Sequence, residues 1–230
     1  MTQKRRLRTA SDSKKKVFIV DDHPVVRDGL ITLIEHEQDF KVCGDADDAA
    51  EALESISELK PDVVIVDIGL KSSDGIELTR NIKVRYPKIS VVVLSIHDES
   101  VYAERALHAG ASGYLMKEAA SNDIIKAIRT VLSGEIYVSD QMAKKFLDNA
   151  FSRQSDIGAN PVAKLSDREF EIFRLIGSGY KVSQIADRMH LSVKTIETYR
   201  ARIKEKLSLS DASKLLRYAI KWVSSDDKNS

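Results

Sequence analysis

Two adjacent aspartates, Asp21 and Asp22, follow the apolar run VFIV of residues 17–20, and a third, Asp67, follows VVIV of residues 63–66. Burying even one such charge at a strand end is costly. Three carboxylates gathered in one crevice repel one another and lift their pKa values, so a hard divalent cation such as Mg²⁺ is their natural partner. The run VVVL of residues 91–94 leads into Ser95, and GYLM leads into Lys117. Acids, cation, hydroxyl and ammonium together describe a site for a transferred phosphoryl group, where catalysis is largely positioning and charge neutralisation. The chain has no GxxxxGK[ST] loop to hold a nucleotide, so a side chain is expected to be the acceptor. Asp22 could instead cap a helix entered at Pro24, but that would account for one acid and not for three.

These residues need elements that bring them to one edge. The β-branched runs are apolar without alternation, the pattern of strands covered by helices on both faces. Weaker strands are read in FKVCGD and SGYLM, and helical patterns lie at Val25–Glu35, Ala49–Leu59, Gly75–Tyr86, Ser100–Ala109 and Asn122–Leu132. Five β/α units in about 120 residues predict an α/β doubly wound, five-stranded parallel sheet, whose strand C-termini line one ligand-binding edge.

Residues 138–163 read as a linker that admits a helix from Ser139 to Leu147 and closes with the polar FSRQSDIGANP. A small all-α domain of four short helices is expected over 164–223. Ser166 with Glu169 forms a capping-box pattern before an apolar stripe of Phe170, Phe173, Leu175 and Ile176. VSQIADRMH and the Ser192-capped LSVKTIETYRARIKEKL then read as helix, turn, helix, and a fourth helix covers Ala212–Val223. Val193, Ile196, Ile203 and Leu207 supply the apolar stripe of the third helix. Residues 224–230 form a tail.

The formal net charge of +1 conceals a division. Residues 17–137 carry twelve Lys or Arg against twenty-two acids, whereas 164–222 carry thirteen against seven. An acidic module joined to a basic one points to cation chemistry at one end and a polyanion at the other. Residues 1–16, low in apolar content, are expected to be a disordered basic arm. The single cysteine, Cys43, fits a reducing compartment and a core position. The absence of a long apolar stretch predicts a cytoplasmic protein without membrane contact. His23, His36, His97, His108 and His190 have no metal-ligand spacing and read as surface or locally hydrogen-bonding residues.

With Asp21, Asp22, Asp67 followed by Gly75 in DIGLKSSDG, Ser95, and Tyr114 and Lys117 in GASGYLMK, residues 17–137 resemble a response-regulator receiver domain. The resemblance implies that Asp67 accepts a phosphoryl group from a phosphohistidine of a sensor histidine kinase. It also implies that Asp21, Asp22, the Asp67 carboxylate and the Gly69 carbonyl hold Mg²⁺, that Ser95 and Lys117 grip the phosphoryl oxygens, and that Tyr114 turns inward as Ser95 moves. Lys71 and Glu118 stand where this family often has proline, so the loop beyond Lys117 is expected to be set differently.

Residues 165–222 resemble the LuxR-type DNA-binding domain of NarL/FixJ regulators in LSDREFEIFRLIGSGY, IADRMHLSVKTIETYRARIKEKL and ASKLLRYAI. The implied recognition helix, Val193–Leu207, enters a major groove of double-stranded DNA, with Thr195 near its start among the implied DNA-binding residues. Lys194, Tyr199, Arg200 and Arg202 are implied phosphate contacts, and Glu197, Thr198 and Ala201 implied base readers. Glu197 departs from the lysine frequent there; an acid can accept from cytosine N4 but is repelled by phosphate. The last helix usually forms the homodimer contact in this family. Leu215, Leu216, Ala219 and Trp222 could supply it, with packing inside their own domain the alternative.

The expected function is a two-component response regulator: phosphorylation at Asp67 controls dimerisation and sequence-specific DNA binding to regulate transcription. An acidic receiver tethered to a basic domain could mask the recognition helix until Asp67 is phosphorylated. The receiver would catalyse only its own phosphoryl transfer and dephosphorylation. A Mg²⁺-dependent phosphohydrolase commonly needs a second acid two residues after the nucleophile, where this chain has Gly69.

Overall fold

The computed structural model describes residues 14–70, 74–96, 99–119, 121–152, 161–189 and 191–226. Most of the expected basic arm, the tail beyond residue 226, Lys71, His97 and His190 lie outside the described residues. The chain divides into two compact units, Met1–Ala143 and Lys144–Ser230.

The first unit runs β1 (Lys15–Val20), α1 (Pro24–Glu35), β2 (Phe40–Ala46), α2 (Ala49–Leu59), β3 (Val63–Asp67), α3 (Gly75–Arg85), β4 (Ser90–Ser95), α4 (Glu99–His108), β5 (Gly113–Met116) and α5 (Ser121–Leu132). All pairings are parallel, in the order β2-β1-β3-β4-β5. This is the expected five-stranded doubly wound sheet, and its order reverses between β1 and β3.

The uninterrupted apolar runs follow from two helix layers. Val17, Ile19, Val63, Ile65, Val92 and Leu94 face Leu30 and Ile34 of α1 and Ile124, Ile128 and Val131 of α5. Phe18, Val20, Val64, Val66 and Val91 face Ala52 and Ile56 of α2 and Leu78 and Ile82 of α3. Alternate side chains therefore enter opposite cores, and every position is apolar. Cys43 is only half-buried at the margin of the second core, a correction to its expected core position; burial still pushes its thiol pKa up.

Side-chain caps fix two helix starts. Asp48 accepts from the Ala50 and Glu51 amides, and Asp74 from those of Ile76 and Glu77. Gly75 opens α3 against backbone: a Cβ there would lie 2.0 Å from the Asp67 carbonyl oxygen. The close approach holds the start of α3 against the end of β3.

α6 (Asp140–Ser152) begins in the first unit and runs five residues beyond the helix expected over Ser139–Leu147, into the stretch read as polar linker. In the second unit, a 3₁₀ turn at Pro161–Lys164 precedes α7 (Asp167–Gly177), α8 (Val182–Arg188), α9 (Val193–Lys206) and α10 (Ala212–Asp226). Ser166 and Glu169 form the expected capping box, and Lys206 Nζ lies 2.6 Å from the buried Glu169 carboxylate. Phe170 and Phe173 pack edge-on against Trp222 of α10, with ring centroids 5.3 and 6.0 Å apart. Ile172, fully buried, takes the core role expected of Leu175, which is half-buried. Val193, expected on the apolar stripe of α9, is exposed, because that stripe starts one turn later at Ile196. No described helix is long and apolar enough to cross a membrane.

Candidate functional site

The reversal of strand order sets the C-terminal ends of β1 and β3 side by side and opens a crevice there. Asp21, Asp22 and Asp67 enter it, each at most 7 % exposed. Lys117, just beyond β5, reaches across: its Nζ donates to Asp67 Oδ2 at 2.8 Å and lies 2.7 Å from Asp21 Oδ2. Ser95 at the end of β4 is fully buried, and its carbonyl accepts from the Lys117 amide at 2.7 Å. Thus β4 holds the backbone from which the lysine projects. Tyr114 is fully buried on β5. The loop beyond Lys117 turns at once, with the Ala119 amide bonded to the Met116 carbonyl.

Charge at this site is unbalanced, with three buried carboxylates facing one buried ammonium. Burial pushes the Asp67 pKa up, against the hydrogen bond and charge of Lys117, and the neighbouring Asp21 pushes it further up. Burial also works against the Lys117 ammonium, but its pairing with Asp21 and Asp67 prevails and holds its pKa above the ordinary value. Asp21 Oδ2 and Asp22 Oδ1 are buried without an aligned hydrogen-bond donor. Nor does Asp22 cap α1: that helix starts after His23 with no side-chain cap bond, so capping accounts for none of the three acids. Ligand atoms of Asp21, Asp22, His23 and Asp67 all lie within 4.8 Å of one another. Buried hard oxygens at that spacing, three carboxylates met by one ammonium and a rim imidazole, fit a hard divalent cation. The Gly69 amide donates to Asp67 Oδ1 at 3.1 Å and orients the carboxylate.

His23, read from sequence as a surface or locally hydrogen-bonding residue, takes such a place beside the acids, and Arg27 was given no role. His23 sits at the rim, half of it in solvent, with Nδ1 2.7 Å from Asp22 Oδ1 and 3.1 Å from Asp21 Oδ1. Its place immediately after the acid pair was the available signal; its spacing to the other histidines was not. Arg27 donates from Nη1 to the Asp21 carbonyl and from Nε to Asp45, which ties α1 to the end of β1.

In the second unit α8 and α9 form the helix-turn-helix pair. Ser192 caps α9 by accepting from the Thr195 amide, and its hydroxyl lies 2.7 Å from that of Thr195, so Thr195 belongs to the cap. Lys194, Glu197, Thr198, Ala201 and Arg202 lie together on the exposed face, as expected of a recognition surface. Tyr199 is half-buried, with the Arg202 guanidinium 5.9 Å from its ring. Arg200, an implied phosphate contact, lies on the flank of α9: its side chain is 20 % exposed and its Nη1 donates to Glu197 Oε1 at 2.7 Å.

The expected dimer face on α10 also needs correction. Leu215 and Ala219 are fully buried within their own unit, where α10 packs on α7, and Trp222 is engaged with Phe170 and Phe173. The outward apolar residues are Leu216 and Ile220, 42 % and 44 % exposed.

A doubly wound sheet with an acid-rich crevice at its switch point, followed by a four-helix unit containing a helix-turn-helix, defines the class of a receiver joined to a DNA-binding module. Family models agree: residues 17–129 match the response regulator receiver domain and residues 163–219 match bacterial regulatory proteins of the luxR family. The response regulator GacA of Pseudomonas syringae is 38 % identical over 206 residues, 90 % of this chain and 95 % of that protein. The oxygen regulatory protein NreC of Staphylococcus aureus is 35 % identical over 210 residues, 90 % of this chain and 97 % of that protein. Among solved structures, RcsB from Salmonella enterica serovar Typhimurium, bound to promoter rprA in the presence of phosphomimetic BeF3-, is 27 % identical with a TM-score of 0.56, covering 90 % of this chain and 98 % of that one. The chain belongs to the two-component response regulators of the NarL/FixJ family, with a receiver domain followed by a LuxR-type DNA-binding domain.

Proposed function

We propose that Asp67 is phosphorylated by a sensor histidine kinase and that the acyl phosphate controls dimerisation and sequence-specific DNA binding, and through them transcription. The observation that carries this reading is the convergence of Lys117 Nζ on Asp67 and Asp21 beside buried carboxylate oxygens that lack aligned donors. A carboxylate oxygen of Asp67 attacks phosphorus, the P–N bond of the phosphohistidine breaks, and the imidazole leaves with its electron pair. Asp21, Asp22, Asp67 and the Gly69 carbonyl would hold Mg²⁺, which would supply neutralisation of the phosphoryl oxygens when bound. Lys117 moves its hydrogen bond from the carboxylate to a phosphoryl oxygen, and the Ser95 hydroxyl takes another. Tyr114 is already fully buried on β5, so its link to Ser95 is one of packing and needs no inward turn.

The DNA-binding unit then acts as a dimer through Leu216 and Ile220, and two copies of α9 enter successive major grooves about one helical turn apart. The exposed basic residues Lys194 and Arg202 support phosphate contact on that face. RcsB, a relative solved in complex with DNA, aligns over 90 % of this chain and 98 % of its own.

The direct test is to incubate the protein with Mg²⁺ and acetyl phosphate and read its intact mass. One phosphoryl group is expected on the wild type and none on Asp67→Asn. A wild-type mass that does not change, or a variant that still gains the group, would overturn the assignment.

A further inference from the structure

We propose that Glu197 reads a cytosine in each DNA half-site and that Arg200 is the positioning residue that lets it do so. The juxtaposition is the Arg200 Nη1 contact with Glu197 Oε1 at 2.7 Å, made from a side chain that is itself mostly buried. This inference rests on the DNA-binding reading and refines it at one residue pair.

Glu197 stands on the exposed face of α9 among Lys194, Thr198 and Ala201, and its side chain is 53 % exposed. A bare carboxylate carried into a major groove is repelled by the phosphates on either side. Arg200 removes that obstacle. It lies one turn of helix further on, on the flank next to Tyr180, Val182 and Leu216, with its Nε buried and without a hydrogen-bond partner. From there its guanidinium is committed to Glu197 rather than to the DNA backbone. The pair is neutral, one carboxylate oxygen is fixed, and the other remains on the exposed face as an acceptor.

A fixed acceptor selects among base edges. Cytosine presents the N4 amino donor, whereas thymine presents O4 and guanine N7 and O6, all acceptors. Adenine has a donor at N6, but its N7 acceptor adjoins it and repels a carboxylate. Cytosine is the base this geometry takes.

The test uses the full-length protein treated with Mg²⁺ and acetyl phosphate. Duplexes are selected from a random library, and affinities are then measured with each cytosine of the selected site replaced in turn. Replacing one cytosine per half-site is expected to weaken wild-type binding by about 5-fold to 150-fold, the range of a single good base contact. In Glu197→Ala that discrimination disappears while binding to unselected DNA becomes tighter, because a negative charge has left the groove. Arg200→Met, which keeps the packed stem, loses discrimination at that same position and keeps it elsewhere. If Arg200→Met instead kept full discrimination at that cytosine and only weakened binding to all sequences by the same factor, Arg200 would be a phosphate contact and the proposal would be wrong. Unchanged base preference in Glu197→Ala would also overturn it. Failure of the wild type to bind any duplex is a different result, which overturns the DNA-binding reading itself.

Discussion

Lys117 Nζ donates to Asp67 Oδ2 at 2.8 Å although fifty residues of chain separate the two. The same ammonium faces Asp21, so one buried cation serves acids from two neighbouring strand ends. Lys117→Met would remove the two largest influences that lower the Asp67 pKa, leaving only the Gly69 amide bond against burial and Asp21, which raise it. Phosphorylation needs the ionised carboxylate, so its rate should fall off at higher pH in the variant than in the wild type. Rates of incorporation from acetyl phosphate across a pH series, at saturating Mg²⁺, check this. In metal-free buffer the raised Asp67 pKa means that the folded state takes up a proton more readily than the unfolded chain. Stability from this group therefore increases as pH falls from above the folded value toward the ordinary 3.8, and ionisation at neutral pH works against the fold. Asp67→Asn should accordingly raise the metal-free unfolding midpoint at neutral pH, and a lowered midpoint would contradict the electrostatic description.

Addition of Mg²⁺ should stabilise the wild type, because a ligand that binds only the folded state contributes about 2.7 kcal/mol at one hundred times its dissociation constant. Asp22 carries a buried oxygen whose near neighbour is His23 Nδ1 at 2.7 Å, whereas Lys117 pairs with Asp21 and Asp67. Asp22→Asn should lose most of the Mg²⁺-dependent shift in thermal midpoint while keeping the fold.

Two glycines should respond in opposite directions to alanine. At Gly75 the new Cβ would meet backbone, 2.0 Å from the Asp67 carbonyl oxygen and 2.7 Å from Ile68 Cα, and neither can give way. Gly75→Ala should cost about 3 kcal/mol or more in urea unfolding and disturb phosphorylation of Asp67. Gly29, exposed in the interior of α1, has nothing within 4 Å of the added carbon. Gly29→Ala should stabilise the protein by about 0.5–1 kcal/mol.

Much of this arrangement was legible in the sequence because strand ends in a parallel sheet obey topology. Once VFIV, VVIV and VVVL are read as buried strands, Asp21, Asp22, Asp67 and Ser95 must share an edge, whatever the loops do. The capping roles of Ser166 and Ser192 were legible for the same local reason. What sequence could not settle was which face of a helix meets which neighbour. On α10 the apolar residues Leu215, Leu216, Ala219 and Ile220 are contiguous, and only the packing on α7 decides that the first and third are inside. Nor does sequence show that the Arg200 side chain, an implied phosphate contact, is paired with Glu197 and only 20 % exposed. The extra pairing at the sheet edge, where the Tyr114 amide bonds to the Tyr137 carbonyl at 2.9 Å, lacked any apolar run to announce it.

The corrected α10 face makes its own prediction. Leu216→Glu should leave the thermal stability of the protein within about 0.5 kcal/mol of wild type, since the side chain is exposed, yet weaken dimeric DNA binding. Leu215→Ala should instead destabilise the DNA-binding unit by about 2–5 kcal/mol, because it empties a fully buried position. Thermal melts and sedimentation of the protein–DNA complex separate the two.

Coupling between the acidic crevice and DNA binding is most directly measured as the affinity of the full-length protein for a selected duplex at fixed salt, with and without acetyl phosphate and Mg²⁺, in wild type and Asp67→Asn. The account predicts that phosphorylation tightens wild-type binding and shifts it toward a two-copy complex, while Asp67→Asn stays at the unphosphorylated affinity under both conditions. Equal affinity of phosphorylated and unphosphorylated wild type, or a response to the phosphodonor that persists in Asp67→Asn, would contradict it.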